Sequence, residues 1–241
     1  MAGPELGVDE KMPILKRSRL STGISDLDLI LEGGYQNPGN VVMVGPSSME
    51  KSAFAYHFAG CADTNENSYI VCGNSSPADI IAKAANVGID LKKDNIFFID
   101  CYSTTLGSQE PLGEPDPRIK IVPGPSALND LSLALNDAVK ASAGKRMRIV
   151  FDTLSTFVLY NAKDSIRKFL SVIEGRLRSA QATTLFLVDE GVHDKQLLSI
   201  LEQGMDAIFT IMDSGGKITL KVPDVDIPLP IRVAPTGLSI I

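Results

Sequence analysis

The sequence predicts an α/β fold: a mostly parallel, twisted sheet with helices on both faces and an antiparallel C-terminal extension. Two observations carry the body of the fold. Short apolar, β-rich runs recur along the chain, and segments with helical periodicity separate them. Near-continuous apolarity is what strands buried on both faces require. A third observation gives the extension. After residue 206, strand-like runs follow one another with few residues between them.

In order, the predicted strands are "VVMVG" (41–45), "SYIVC" (68–72), "IFFID" (96–100), "RIVFD" (148–152) and "TLFLVD" (184–189). Helices are expected at "KSAFAYHFAGCA" and "PADIIAKAANVG", which follow the first and second strands. "SALNDLSLALNDAVKA" and "KDSIRKFLSVIEGRLRSA" place apolar residues at i, i+3, i+4 and i+7. "DKQLLSILEQG" ends at a Gly suited to a C-cap. "AIFTIMD", "KITLKVP" and "IRVAPTGLSII" read as strands, with "DSGGK" (213–217) as a hairpin turn. The Pro- and Gly-rich stretch 102–125 reads as a long loop, a class that is often functional.

Of the 241 residues, 44% are hydrophobic and 22% charged, which suits one soluble domain with a sizeable core. Net charge is −6, so no broad basic face for nucleic acid is indicated. "KRSR" (16–19) and "KRMR" (145–148) are the only basic clusters, and each reads as a solvated face. No apolar run approaches the roughly 18 residues of a membrane span. "MAGPELGVDEKMP" lacks a signal-peptide core, so residues 1–19 are expected to form a tail and the protein to be cytoplasmic. Cys61, Cys72 and Cys101 show no metal or disulfide spacing, and Cys72 and Cys101, each ending an apolar run, read as buried thiols. His57 and His193 lie far apart and read as structural or surface residues.

The chemistry concentrates at "GPSSMEKS", which comprises Gly45, Pro46, Ser47, Ser48, Met49, Glu50, Lys51 and Ser52. It follows a strand and opens a helix, as the phosphate-binding motif G-x-x-x-x-G-K-[ST] must. In that motif, backbone N–H groups surround phosphate oxygens and the Lys adds positive charge. Ser52 would hold magnesium. Asp152, ending a buried strand, would accept a hydrogen bond from Ser52 or from metal-bound water. The second Gly, however, is Glu50, a carboxylate where phosphate must lie. "VDEGVHD" (188–194) gathers Asp189, Glu190, His193 and Asp194 at a strand end; a polar loop with a helix N-cap is the expected reading, a metal site the alternative.

The stretch "LSTGISDLDLILEGGYQNPGNVVMVGPSSMEKSAFAYHFA" resembles the opening of KaiC-type domains of the RecA superfamily. Ser21, Thr22, Gly23, Leu27, Asp28, Leu31, Gly33 and Gly34 match that family's S-T-G-[IV]-x-x-L-D-x-[IL]-L-x-G-G. "SPADIIAKAANVGIDL", "RIVFDTLSTF", "LEQGMDAIFTI" and "IRVAPTGLSII" are similar to its later landmarks, in order. The resemblance implies a RecA-like P-loop NTPase fold over a single domain, residues 20–241, usually assembled as a ring with nucleotide between subunits.

The resemblance also implies where function departs. The family's second strand runs into F-E-E-S-P, and a Glu there activates the attacking water; here Asn74 and Ser75 replace the acids. Neither accepts a proton near neutral pH, which removes a term of about 10²–10⁴-fold. The family's K-x-R finger keeps Lys221 but has Pro223 in place of Arg. No catalytic residue is therefore assigned. Lys51 is expected to pair with Glu50 or Asp152, so that ATP and magnesium bind weakly if at all. The expected role is that of an inactive or very weak ATPase acting as a regulatory or interaction subunit, with a protein partner or further copies of itself. The alternative is a slow ATP-operated switch, within reach of DNA-repair recombinase paralogues.

Overall fold

The computed structural model describes residues 18–106 and 116–241; most of the expected tail and the middle of the 102–125 stretch lie outside them. In chain order the elements are β1 (Arg19–Leu20), α1 (Ser25–Ile30), β2 (Tyr35–Gln36), β3 (Gly39–Gly45), α2 (Met49–Gly60), β4 (Glu66–Cys72), α3 (Pro77–Asn86) and β5 (Ile96–Asp100). There follow β6 (Ile119–Ile121), α4 (Leu128–Ala141), β7 (Arg146–Asp152), α5 (Leu154–Tyr160), α6 (Lys163–Ser179), β8 (Ala182–Asp189) and α7 (Lys195–Glu202). The chain closes with β9 (Ala207–Ser214), β10 (Lys217–Lys221), β11 (Leu229–Ala234) and β12 (Gly237–Ile240).

Ten strands form one sheet in the order β12-β11-β10-β9-β3-β8-β7-β4-β5-β6. Every pairing from β9 to β6 is parallel, and those from β9 to β12 are antiparallel. Alternation along each strand sorts the core. Val41, Met43, Val150, Leu185 and Leu187 face α1, α2 and α3; Val42, Ile149, Phe151, Phe186 and Val188 face α4 to α7. The strand and helix expectations hold with small shifts at their ends.

Three features differ from the expectation. "IRVAPTGLSII" is a hairpin, β11 and β12, because Gly237 takes φ +119 and turns the chain after Pro235 and Thr236. The 102–125 stretch contributes a helical turn at Ser103–Leu106 and the edge strand β6. Helices α1 and α5 were not expected. The first is only six residues long, and the second, "LSTFVLY", has the β-branched and aromatic content of a strand.

The S-T-G turn has a clear mechanical role. Asp28 accepts from the Ser21 hydroxyl (2.5 Å), the Thr22 N–H (2.7 Å) and the Thr22 hydroxyl (2.6 Å). Gly23, at φ +80, lies so close to α2 that a Cβ would stand 2.4 Å from the His57 carbonyl oxygen. The His57 ring completes the clamp. Nδ1 meets the Gly23 carbonyl at 3.0 Å, and Nε2 accepts the Leu238 N–H at 2.8 Å. Nε2 is therefore unprotonated, and Nδ1 carries the donor hydrogen.

Burial holds the His57 imidazole below its ordinary value, with the Gly23 bond opposing. As pH falls, the unfolded chain takes up this proton first, from about 6.5 downward. Stability from His57 is complete above that value and is lost below it. Urea midpoints are expected to fall between pH 7.5 and 5.5, and to fall less in His57→Gln.

The "KRMR" cluster, expected as a solvated face, turns inward at Arg148. Arg148 is buried, donating to Glu66 (2.7 Å) and to the Ser21 and Phe58 carbonyls, and its guanidinium lies 4.9 Å from the Phe58 ring centre. Arg146 joins the same carboxylate at 2.8 Å.

Candidate functional site

The site sits where parallel α/β sheets place ligands, beyond the C-terminal ends of the strands. β3 delivers the loop 45–48, and α2 starts directly after it. Gly45 is needed for packing: a Cβ there would stand 2.8 Å from the Ile211 Cβ on β9. Ser48 caps α2, its hydroxyl accepting from the Lys51 N–H at 3.4 Å, a long bond.

A cavity of about 240 Å³ opens here, lined by Ser47, Ser48, Met49, Lys51, Ser52, Tyr56, Asn74, Ser75, Lys83, Asp152, Thr153 and Asp189. The fold thus brings together most of the residues singled out from sequence. Gly45 and Pro46 precede its first lining residue and are not among the lining, and half-buried Glu50 lies in the first turn of α2. Lys221 and Pro223 lie at and just beyond the end of β10 and are not among its lining residues.

Lys51 decides the character of the cavity. Its ammonium donates to the Gly45 carbonyl (3.0 Å), to the Val188 carbonyl (3.1 Å) and to the Asp189 carboxylate. All three donor hydrogens of the group are committed to acceptors of the protein. Pairing with Glu50 or Asp152 was expected; the partner is instead Asp189. The reason is register: Asp189 ends β8 directly beside Gly45 on β3, so its carboxylate stands at the mouth of the loop.

Two further details concern the first turns of α2. Ser52 does not bond to Asp152; its hydroxyl faces the phenol of Tyr56, one turn further along α2. Glu50 has ordinary helical backbone and no positive φ. Glu50 thus differs from the motif's Gly in side chain and charge, without backbone strain.

Comparison with known proteins settles the family. The model of the KaiC ATPase family matches residues 20–212. The chain belongs to the KaiC ATPase family. Its relatives include the circadian clock oscillator protein KaiC of Prochlorococcus marinus strain MIT 9313, 27% identical over 177 residues, or 71% of this chain and 33% of that one. The KaiC of Parasynechococcus marenigrum strain WH8102 is likewise 27% identical, over 71% of this chain and 32% of that one. A UPF0273 protein of Aeropyrum pernix is 25% identical over 214 residues, covering 86% of this chain and 79% of its own. The chain spans about a third of the length of the clock proteins it matches. With the parallel sheet and the strand–loop–helix, the fold is the RecA-like P-loop fold.

In this KaiC-family cavity, Asp152 is buried at 7% exposure. Burial raises its carboxyl to about 6; the ammonium groups of Lys83 and Lys51 oppose the rise, and Asp189 adds to it. Lys83 reaches in from α3 and donates to the Ser75 hydroxyl at 3.1 Å. Behind Asp189, its N–H donates to the Ser155 hydroxyl (2.8 Å), which in turn meets His193 Nε2 (2.8 Å). Asp194 caps α7 by accepting the Leu197 N–H, as a polar loop with an N-cap would.

Lys83, Tyr56 and Thr153 were not picked out from sequence. Lys83 looks like any helix lysine. The available signal was its position on α3, two turns beyond Ser75, on the face that Ser75 opens. Tyr56 stands one turn after Ser52.

Proposed function

We propose that this is a single KaiC-like domain, over residues 20–241, that does not turn over ATP and acts as an interaction or regulatory subunit. The reading rests chiefly on Lys51, whose ammonium is held by the protein's own oxygens instead of pointing at a ligand. Magnesium–ATP does not fit the residues present. The cation that should meet phosphate is tied down, a carboxylate occupies the loop's second Gly position, and Asn74 and Ser75 supply no base. With Lys51 paired to Asp189 and Lys83 beside Asp152, the cavity holds its own counter-ions. Partners by this reading are another protein or further copies of the chain. Nucleic acid is not favoured, since Arg146 and Arg148 are engaged internally.

A second reading, a slow nucleotide-operated switch, draws on one observation: Ser47, Lys51, Ser52 and Asp152 still line a single cavity. Thermal unfolding with and without millimolar magnesium–ATP, alongside phosphate release, tests both. A ligand that binds only the folded state raises the midpoint as RT ln(1 + [L]/Kd). No release is expected, and no shift that Lys51→Ala abolishes. A Lys51-dependent shift with slow release would establish the switch instead, and brisk release would end both readings.

A further inference from the structure

A different part of the molecule carries an independent inference. Five buried side-chain polar atoms among the described residues have no hydrogen-bond partner in the protein. Three of them cluster: Nδ2 and Oδ1 of Asn40, and Oγ1 of Thr184. Asn40 and Thr184 are register partners on β3 and β8. Both precede core residues of the α4–α7 face by two positions, so they share that face. Asn40 is 1% exposed and Thr184 is fully buried. Folded proteins leave few such groups bare, because each costs stability. A valine at either position would suit a central strand better.

Asn40 forms part of the floor of a cleft of about 380 Å³ between α6 and α7, at the opposite end of β3 from the P-loop. Arg167, Ser171, Glu174, Arg178 and Gln203 line its walls and mouth. Glu174 makes no hydrogen bond or ion pair among the described residues. Burial lifts its carboxyl to about 7, with Arg178 opposing and Asp206 adding. Arg178 is anchored on Asp206 at 2.7 and 3.2 Å, and Arg167 lies 3.5 Å from Asp164.

We propose that this cleft is a second small-molecule site that takes a nucleoside monophosphate, with its base edge inward on Asn40 and its phosphate outward at Arg167 and Arg178. A carboxamide is matched by a planar edge with an adjacent donor and acceptor, which is how Asn reads adenine. Guanidinium groups match phosphate. The volume lies in the range of small-ligand pockets. Glu174 supplies a further polar partner for a ring nitrogen. The site is separate from the P-loop cavity, and its existence does not depend on whether that cavity turns over ATP.

Thermal unfolding with adenosine monophosphate, without metal, is the test. At about 5 mM the wild-type midpoint is expected to rise by about 2 °C or more. Asn40→Leu is expected to lose the response while keeping or raising its ligand-free midpoint, since two bare polar atoms are removed. Ser171→Trp, at an exposed helix position, closes the mouth without touching the floor and is expected to lose the response too. It decides alone if Asn40→Leu does not fold. Ribose 5-phosphate, which lacks the base, is expected to give no shift. No rise in the wild type overturns the proposal. So does a rise that survives Ser171→Trp, or an equal rise with ribose 5-phosphate.

Discussion

Glu66→Ala is expected to destabilise the protein by about 3–5 kcal/mol, the cost typical of removing one partner from a buried ion pair. Glu66 and Arg148 have side chains only 2% and 3% exposed. Removing the carboxylate leaves the Arg148 guanidinium buried with only the Ser21 and Phe58 carbonyls to receive its hydrogens. It also strips Arg146 of its closer acid. For a chain of this size the midpoint should fall by roughly 10 °C. Glu66→Gln keeps an acceptor oxygen and should fall less. Glu66→Leu combined with Arg148→Leu should recover part of the loss, because no lone charge remains inside. Denaturant melts of the four proteins check the order. Equal melts for wild type and Glu66→Ala would show that the pair contributes nothing.

The double variant Glu50→Gly, Asp189→Asn is expected to gain about a hundredfold in magnesium–ATP affinity over the wild type. Two like charges about 4 Å apart repel by about 4 kcal/mol at an effective dielectric of 20. Glu50 is only half-buried and can turn toward water, so its removal alone should give about tenfold. Neutralising Asp189 then releases the Lys51 ammonium from its only carboxylate partner among the described residues. The readout is the ATP-induced shift in midpoint, taken against each variant's own ligand-free value, so any stability lost with the ion pair cancels. Asn74 and Ser75 remain, so phosphate release should stay at background. If the double variant binds no better than the wild type, the cavity is not held shut by its own charges.

The frame of this protein was readable because its signals are local. The runs ending at Gly45, Cys72, Asp100, Asp152 and Asp189 are apolar on both faces, and a central strand needs no more than that. What escaped was either too short to show a period, as at Ser25–Ile30, or carried misleading residue types, as at Leu154–Tyr160. The site divides the same way. The loop Gly45–Ser52 is a contiguous pattern and stood out at once. The partner of Lys51 is 138 residues away and is fixed by which strand lies next to β3. No spacing in the chain encodes that. Asn40 was invisible for a related reason: an amide amid apolar residues becomes notable only when its neighbours are known to offer it nothing.

Helix α2 is enclosed along nearly its whole length, from Lys51 and Ala53 through Gly60, between the sheet and the C-terminal hairpin. Its position is dictated by the bodies wedged on either side, and not by whatever its leading end might grasp. A machine whose grip is mounted on so fixed a post can have its fingers exchanged one by one without the post leaning. The scaffold can therefore outlast the trade it was built for.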